Sequence, residues 1–534
     1  MSGDPLLTAR SLALLVYSGV LAPMRPDRML GTVAALARYG LTPAAGYAAG
    51  AARHPDRPAI IDERGTVTYR QIHERSDRLA RALADRGVGA GATVALLCRN
   101  HRGPIEAMTA CAKLGADVVL LNTGLSAEQL AAVLDEQRAD LVVADEEFTA
   151  ALASVPDRPD TVLGWTDGEP GTPYLEGLIG AGGDSTLPAR PPAARLIVLT
   201  SGTTGTPKGA RRPGPKGLGP IGAILSRIPL RAGEPVLVAA PLFHTWGFAG
   251  LQLGFLLGAP LVLHRRFDPS QTLRAIGEHG VTTVVAVPVM LQRMLELPEA
   301  ELDAADTRVL RVVAVSGSAV STQLAQRFTE RFGPVLYNLY GSTEVSWASI
   351  ATPEDMRTAP GTVGRPPLGT TLRILDDDDR PAPDGQTGRI FIGNDMLFEG
   401  YTRSGAGTDV VDGLMGIGDV GMVDENGLLH VTGRSDDMIV SGGENVHPGQ
   451  VEELTSQWPE VHDAAVLGID DADFGQRLAA YLVLAPGAEL DADTVRDRVR
   501  SKLARFAVPR DVHFVDELPR NATGKIDKKR LRRP

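Results

Sequence analysis

Short apolar runs alternate with helical segments from Pro58 onward, and this alternation limits the folds open to the chain. Runs that are apolar almost throughout, without polar alternation, predict strands buried on both faces, and such strands occur in parallel sheets flanked by helices. We therefore predict an α/β fold built on a parallel sheet covered on both sides. The predicted strands are residues 59–61, 67–69, 93–98, 117–121, 141–143, 235–240, 281–287 and 309–315, and the predicted helices are residues 70–86, 104–114 and 125–135.

The length and a change of texture predict the domain organisation. The 534 residues suffice for two to four domains. Between Gly361 and Gly433 the pattern changes to short strands with tight turns, which indicates a β-rich subdomain. We expect an N-terminal extension over residues 1–45, a large domain of stacked α/β subdomains with this β-rich part over 46–434, and a small α+β domain over 435–534.

Charge and cysteine content exclude some classes of function. The formal net charge is −11, so we expect no nucleic-acid partner, because binding to phosphate backbones needs a basic face. Cys98 and Cys111 are too few for a disulfide framework or a cysteine metal cluster, and they predict buried thiols in a reducing compartment. The composition predicts a cytoplasmic enzyme that acts on small molecules.

The segment from Leu6 to Arg38 mixes apolar side chains with arginines. Two interpretations stay open: a helix that packs on its own protein, or a surface helix on an anionic membrane, which would make the protein membrane-associated. No apolar stretch has the length of a membrane span, and no secretory signal is expected. The arginines are Arg10, Arg25, Arg28 and Arg38.

A loop rich in glycines and hydroxyl groups follows the apolar run 196–199. Glycines let successive backbone N–H groups converge, and the hydroxyls and a lysine add donors, so the loop predicts a phosphate-binding turn. It is not a Walker A loop, because Pro207 and Gly209 stand where that motif needs a glycine and a Ser or Thr. The candidate phosphate-binding residues are Thr200, Ser201, Gly202, Thr203, Thr204, Gly205 and Lys208.

Five stretches in order along the chain carry a family resemblance. Together they resemble the adenylate-forming superfamily of acyl-CoA synthetases, adenylation domains and luciferases, from about residue 50 to the end. One departure is Ile417, where the family usually carries threonine. The stretches are residues 199–209, 338–344, 418–421, 433–446 and 521–525.

The resemblance implies a two-step reaction and a mobile C-terminal domain. A small-molecule carboxylic acid attacks the α-phosphate of ATP to give an acyl-adenylate and pyrophosphate, and the thiol of CoA then displaces AMP. Lys525 is implied as the catalytic lysine between the substrate carboxylate and the α-phosphate. Thr343 is implied to reach the α-phosphate, and Glu344 to bind the metal cofactor Mg²⁺.

Further residues take roles by the same resemblance. Asp419 is implied to accept the ribose hydroxyls with Arg434 nearby, and Tyr340 to stack on adenine. Asp436 corresponds to the hinge of the C-terminal domain. His244 corresponds to a histidine at the acyl and thiol tunnels, although a satisfied core histidine is the alternative. The turn beside the adenine and acyl pocket comprises Gly317 and Ser318, and Gly341 is a further candidate cofactor-binding residue and pocket wall. The loop over the pantetheine arm comprises Gly442, Gly443 and Glu444.

The acyl pocket determines the expected substrate. Phe243, Trp246 and Gly247 are candidate pocket residues, and the glycine is expected to leave room for a chain. Residues 241–250 contain no acid that could hold an α-amine, which favours an uncharged acyl tail. With the surface helix, this predicts a medium- or long-chain fatty acyl-CoA synthetase. The alternatives are an aryl- or short-chain acyl-CoA ligase and a fatty acyl-AMP ligase that loads an acyl carrier protein, and a homodimer stays open.

Overall fold

A computed structural model describes residues 5–168, 173–200, 208–212, 217, 219–401, 409–441, 444–471 and 475–531. The chain divides into two compact units. The first comprises Met1–Val315, Thr343–Ser346 and Asn394–Gly407, and the second comprises Ser316–Ser342, Trp347–Gly393 and Thr408–Pro534.

The elements of the first unit begin at Pro5 and end at Val315. Its helices are α1 (Pro5–Tyr17), α2 (Pro26–Tyr39), α3 (Pro43–Arg53), α4 (Tyr69–Ala84), α5 (Arg102–Leu114), α6 (Ala127–Gln137), α7 (Thr149–Ala153), α8 (Leu175–Ala181), α9 (Gly219–Leu225), α10 (Thr245–Leu257), α11 (Pro269–Glu278), α12 (Pro288–Leu295) and α13 (Glu299–Ala304). Its strands are β1 (Pro58–Asp62), β2 (Gly65–Thr68), β3 (Thr93–Leu97), β4 (Asp117–Leu120), β5 (Leu141–Ala144), β6 (Asp160–Leu163), β7 (Leu196–Thr200), β8 (Lys208–Arg212), β9 (Val236–Val238), β10 (Leu261–Val262), β11 (Thr283–Ala286) and β12 (Val312–Val315).

The elements of the second unit begin at Thr322. Its helices are α14 (Thr322–Phe332), α15 (Pro353–Thr358), α16 (Pro448–Ser456), α17 (Ala492–Arg500) and α18 (Lys528–Leu531). Its strands are β13 (Leu336–Tyr340), β14 (Ser349–Ala351), β15 (Thr371–Leu375), β16 (Gly388–Gly393), β17 (Val410–Val411), β18 (Leu414–Val423), β19 (Leu429–Arg434), β20 (Ile439–Ser441), β21 (Glu444–Val446), β22 (Val461–Asp471), β23 (Gly475–Leu484) and β24 (Asp511–Phe514).

The first unit is built on two sheets, not on one. In one sheet the strands lie in the order β2-β1-β10-β9-β11-β12, with parallel pairing except in the β1–β2 hairpin. In the other the order is β6-β5-β3-β4-β7-β8, parallel except at the β7–β8 edge. The α/β class with more than one α/β subdomain is confirmed, because β1 pairs with β10 in one sheet while β3 belongs to the other.

Buried polar side chains tie the two sheets together. The amide nitrogen of Asn100, just after β3, donates to the carbonyls of Val238 (3.1 Å) and Ala240 (2.9 Å) after β9, and its oxygen accepts from the Leu242 N–H (2.8 Å). The Asp62 carboxylate at the end of β1 accepts from the backbone N–H (2.9 Å) and guanidinium of Arg102, the first residue of α5. Buried polar groups need such partners, so these bonds fix how the sheets meet.

A buried lysine joins α4 to α5. The ammonium of Lys113, which is 1% exposed, donates to Asp77 Oδ1 (2.6 Å), Ser76 Oγ (2.7 Å) and the carbonyl of His73 (2.8 Å). Burial lowers the pKa of Lys113 to about 8, although the Asp77 carboxylate opposes this shift.

The second unit contains antiparallel strands and a smaller α+β part. The β-rich part has the order β15-β16-β18-β17, and β19 also pairs with β18. Beyond it, the sheet β21-β20-β23-β22, with β24 parallel to β23, packs its apolar face against α16 and α17. Both the β-rich subdomain and the small α+β region are therefore confirmed.

Element boundaries differ from the predictions at caps and turns. Helix α5 begins at Arg102 and not at Pro104, because the His101 ring accepts from the Gly103 N–H (3.0 Å) and caps the helix. Helix α6 begins after Ser126, which forms a capping box with Gln129. Strand β12 begins at Val312, because the residues before it form a turn closed by the Leu310 N–H and the Thr307 carbonyl (2.9 Å).

We predict that the Asp62–Arg102 pair stabilises the first unit. Asp62→Ala leaves a buried guanidinium without its partner, which typically lowers the free energy of unfolding by about 3–5 kcal/mol. The matched control is Asp56→Ala, which removes the exposed Asp56–Arg70 pair and should change this free energy by about 0–1 kcal/mol. Urea unfolding with hydrogen exchange at α5 measures both, and equal effects would contradict the role given to the buried pair.

Candidate functional site

The ends of the glycine-rich loop are held together by the β7–β8 pair. Thr200 and Lys208 are paired in register across this antiparallel edge, so the loop leaves and re-enters the sheet at neighbouring positions. Ser201, Gly202, Thr203, Thr204 and Gly205 lie outside the described residues, and only the backbone is described at Thr200 and Lys208. The phosphate-binding role therefore stays a prediction that rests on the sequence.

The first unit brings His244 and Thr343 to one place. His244 precedes α10, and its Nδ1 accepts from the Trp246 N–H (3.3 Å), so the ring caps that helix. The next residue, Thr245, lies with its Oγ1 3.4 Å from Oγ1 of Thr343. Residues 98 positions apart along the chain thus meet at the start of α10.

A tyrosine positions the carboxylate of Glu344. The hydroxyl of Tyr401 donates to Glu344 Oε1 (2.7 Å), and the Glu344 carbonyl accepts from the Phe398 N–H (2.8 Å). The rings of Phe398 and Tyr401 pack edge to face, with centroids 5.0 Å apart. The donor set fits Mg²⁺, because a positioned carboxylate beside the hydroxyl of Thr343 offers the oxygen ligands that this ion prefers.

The candidate acyl-pocket residues lie in the core of the first unit. Phe243 and Trp246 are buried, and the indole N–H of Trp246 donates to the Ala286 carbonyl (3.0 Å). A Cβ at Gly247 would lie 2.1 Å from the Pro241 carbonyl oxygen. On that side the glycine is needed for close packing of α10 and does not leave room for a chain, which corrects the reason given for this residue.

The second unit brings Tyr340, Asp419 and Arg434 together. Asp419 on β18 lies opposite Arg434 on β19 in the antiparallel register, and their side chains approach to 3.7 Å. The hydroxyl of Tyr340, at the end of β13, donates a hydrogen bond to Asp419 Oδ2. The proposed adenine platform and the proposed ribose acceptor are thus direct partners.

Burial controls the protonation of this cluster. Desolvation raises the pKa of Asp419, while the Tyr340 hydrogen bond and the nearby Arg434 and Lys525 charges lower it. Burial and the Asp419 charge hold the pKa of Tyr340 well above its usual value. At neutral pH Tyr340 is therefore a protonated phenol, and it donates its hydrogen bond to Asp419.

Lys525 lies close enough to Asp419 for its charge to act on that carboxylate. Its backbone is fixed by a turn in which Asn521 Oδ1 accepts from the Thr523 N–H (2.9 Å) and the Lys525 N–H (3.1 Å). Gly524 has a φ of +84°, a conformation that favours glycine. The turn therefore fixes the backbone of the C-terminal lysine, whose charge acts on Asp419 within the same unit.

Two contacts restrain the C-terminal part of this unit. Arg434 Nε donates to Asp436 Oδ1 (2.7 Å), so the candidate hinge residue is paired with the arginine that also lies near Asp419. The Glu453 carboxylate on α16 accepts from the Thr322 N–H (3.2 Å) at the start of α14. An anionic group at a helix N-terminus is a favourable electrostatic partner.

The remaining candidate residues differ in what the structure describes. Gly317 has a φ of +100° and starts the turn that contains the half-buried Ser318, and Gly341 directly follows β13. Gly442 and Gly443 lie outside the described residues. For Glu444 the backbone is described, and it pairs with Ser441 in the β20–β21 hairpin.

The residues that hold the candidate site in position carry no recognisable motif in the sequence. Tyr401, Thr245 and Glu453 contact candidate residues, or cap a helix, from 57 to 131 positions away along the chain. Local spacing carries no signal for such pairs. The capping role of His244 could have been foreseen, because a polar side chain directly before a helical run indicates an N-cap.

Comparisons with known proteins identify the family of the chain. The AMP-binding enzyme family matches residues 47–402, and the AMP-binding enzyme C-terminal domain matches residues 450–525. A 2-succinylbenzoate–CoA ligase from Geobacillus kaustophilus is 35% identical over 489 residues, which cover 90% of this chain and 95% of the relative. A feruloyl-CoA synthase from an Amycolatopsis species is 33% identical over 488 residues, with 90% and 96% coverage.

Comparison with solved structures finds members of the same family. An o-succinylbenzoate CoA synthetase from Bacillus subtilis, solved with its acyl-adenylate intermediate, superposes with a TM-score of 0.78 at 27% identity, covering 92% of this chain and 98% of that structure. The resemblance inferred from the five sequence stretches is thereby confirmed. The chain belongs to the AMP-binding enzyme family, within the adenylate-forming superfamily, and is an enzyme of the AMP-forming acid–CoA ligase class.

Proposed function

We propose that the protein activates an aromatic carboxylic acid with ATP and transfers the acyl group to CoA. The observation that carries this proposal is the substrate class of the relatives, since 2-succinylbenzoate and ferulate are both aromatic acids. The medium- or long-chain fatty acid expected from the sequence is less well supported. The absence of an acid in residues 241–250 is compatible with an uncharged aromatic ring.

In the first half-reaction an oxygen of the substrate carboxylate attacks the α-phosphorus of ATP. A new P–O bond forms, the bond to the bridging oxygen breaks, and its electron pair leaves with pyrophosphate. Two anions approach each other in this step, so a compact positive charge between them lowers the barrier. We assign that charge to Lys525. The backbone of the loop between Thr200 and Lys208 would bind the departing pyrophosphate.

The Tyr340–Asp419 pair supports nucleotide binding in this proposal. The Asp419 carboxylate accepts the ribose hydroxyls while the Tyr340 hydroxyl fixes its orientation, and the Tyr340 ring faces adenine. Glu344, oriented by Tyr401, together with Thr343 would hold Mg²⁺. When bound, this ion neutralises phosphate oxygens at which negative charge develops.

In the second half-reaction the CoA thiolate attacks the acyl carbon and AMP leaves. The turn that carries Lys525 must leave the nucleotide site for the thiol to enter. We propose that rotation at Asp436 moves this turn. That rotation breaks the Arg434–Asp436 pair, which restrains the hinge in the described arrangement. The loop of Gly442, Gly443 and Glu444 would then contact the pantetheine arm.

The substrate class is tested by ATP–pyrophosphate exchange. We expect 2-succinylbenzoate, ferulate or a related aryl acid to support exchange at least about tenfold faster than saturated fatty acids of any length, a difference of about 1.4 kcal/mol in the barrier. Amino acids should support none. Fastest exchange with a fatty acid would restore the earlier expectation and overturn the aromatic proposal.

We predict that Lys525→Ala separates the half-reactions. Removing a charge that stabilises the transition state typically lowers the rate by about 10²–10³, so adenylate formation should fall by this factor. Thioester formation from supplied acyl-adenylate and CoA should stay within about twofold. Lys529→Ala, an exposed lysine four positions away, is the matched control. Equal loss in both half-reactions would contradict the assignment.

We predict that Tyr340→Phe shifts the pH dependence of nucleotide binding upward. The Tyr340 hydrogen bond lowers the pKa of Asp419, so its loss raises this pKa. Only the ionised carboxylate accepts both ribose hydroxyls, so AMP affinity falls on acidification. In the Tyr340→Phe variant this fall should occur at a higher pH than in the unsubstituted protein. Calorimetric titration from about pH 4 to 8 measures the midpoint, and Tyr481→Phe is the control. An unchanged midpoint would exclude the coupling.

A further inference from the structure

Exposed large apolar side chains concentrate at the N-terminus. In the described part of the chain, ten of the fourteen exposed large hydrophobic residues fall between Leu6 and Leu41. Soluble surfaces carry scattered apolar residues, but a concentration of this kind marks an interaction surface. The ten are Leu6, Leu12, Val16, Tyr17, Leu21, Met29, Leu30, Val33, Leu36 and Leu41.

Both N-terminal helices already use one face for packing. Helix α1 buries Ser11 and Leu15 and lies against α9, where a Cβ at Gly222 would lie 2.8 Å from that of Ser11. Helix α2 buries Ala35 and Tyr39 and lies against α3. The exposed apolar residues therefore form a second face on each helix, which we name the N-terminal apolar face.

The spacing of these residues matches one side of each helix. On α1, Leu6, Val16 and Tyr17 are 73%, 61% and 77% exposed. Helical spacing places them on one side of the helix together with the exposed residues Ala9 and Ala13. On α2, Leu30 and Val33 are 68% and 57% exposed, and Met29 and Ala37 continue the stripe. Each helix thus presents an apolar surface that its own fold leaves uncovered.

The charge around the N-terminal apolar face has the opposite sign to that of the whole chain. Residues 5–41 carry four arginines and one acid, Asp27, whereas the chain has a net charge of −11. Asp27 pairs with Arg25 at 3.2 Å. Apolar helical faces with basic neighbours are typical of helices that lie in the interface of an anionic bilayer.

The position of the segment separates it from the catalytic core. The family match begins at residue 47, after the N-terminal apolar face. Among the described residues, no helix is both long enough and apolar enough to cross a bilayer. A contact made through this face is therefore peripheral.

We propose that the N-terminal apolar face binds the surface of a membrane that contains anionic phospholipids. The apolar side chains enter the boundary between headgroups and acyl chains, and the exposed arginines of the two helices, Arg10 and Arg38, attract the phosphates. Charge decides between a lipid surface and a second copy of the chain. Two copies would bring the same arginines toward each other, whereas anionic lipid neutralises them.

Flotation with vesicles tests the proposal on the full-length protein. We expect binding to vesicles of equal parts phosphatidylglycerol and phosphatidylcholine, and at least about tenfold weaker binding to pure phosphatidylcholine or at high salt. The double variant Leu30→Ser/Val33→Ser should lose about tenfold in binding to the anionic vesicles. Arg10→Gln/Arg38→Gln should reduce the preference for anionic lipid.

A matched control distinguishes this face from exposed apolar surface in general. Val309→Ser/Val410→Ser changes two exposed valines elsewhere, 43% and 53% exposed, and should bind vesicles as the unsubstituted protein does. ATP–pyrophosphate exchange should stay unchanged in all variants and shows that each is folded. No vesicle binding, equal loss in the control variant, or self-association of the unsubstituted protein that Leu30→Ser/Val33→Ser abolishes would overturn the proposal.

Discussion

The first unit depends on a few buried polar bonds between its two sheets. Apolar packing alone would let one layer slide over another, because hydrophobic contact has no direction. The amide of Asn100 and the Asp62–Arg102 pair do have direction, and both lie where strands of the two sheets end. Since a buried donor or acceptor without a partner is costly, only one relative arrangement of the sheets satisfies them all. This arrangement sets the backbone at Leu242, two residues before His244.

In the second unit, one cation is shared between two carboxylates. Arg434 lies near two carboxylates of different proposed roles, the ribose acceptor Asp419 and the hinge residue Asp436. A guanidinium can serve both because its donors are spread over a planar fork. In this way the nucleotide cluster and the hinge share one cation, and the charge that each experiences depends on the other.

The sequence predicted elements and motif positions well, and it predicted their partners poorly. The strands around Val94 and Val142 and the helix after Tyr69 follow from periodicity, because hydrophobic spacing is a local property. That β1 joins a different sheet from β3 is decided by pairing with β10, about 200 residues later, which spacing cannot reveal. Lys525 was identifiable from its motif, whereas Tyr401 beside Glu344 has no motif of its own. Gly247 shows a third kind of error, in which an absent side chain was taken for space although backbone fills it.

The burial of Lys113 between α4 and α5 has a consequence for the protein in alkaline solution. Its pKa of about 8 lies below that of a lysine in the unfolded chain. Between these two values the unfolded state binds more protons than the folded state, so this residue adds stability as the pH rises. Most cationic side chains in ion pairs act in the opposite direction, because their pKa values are raised on folding. The contact between these two helices is therefore one place where loss of a positive charge favours the folded protein.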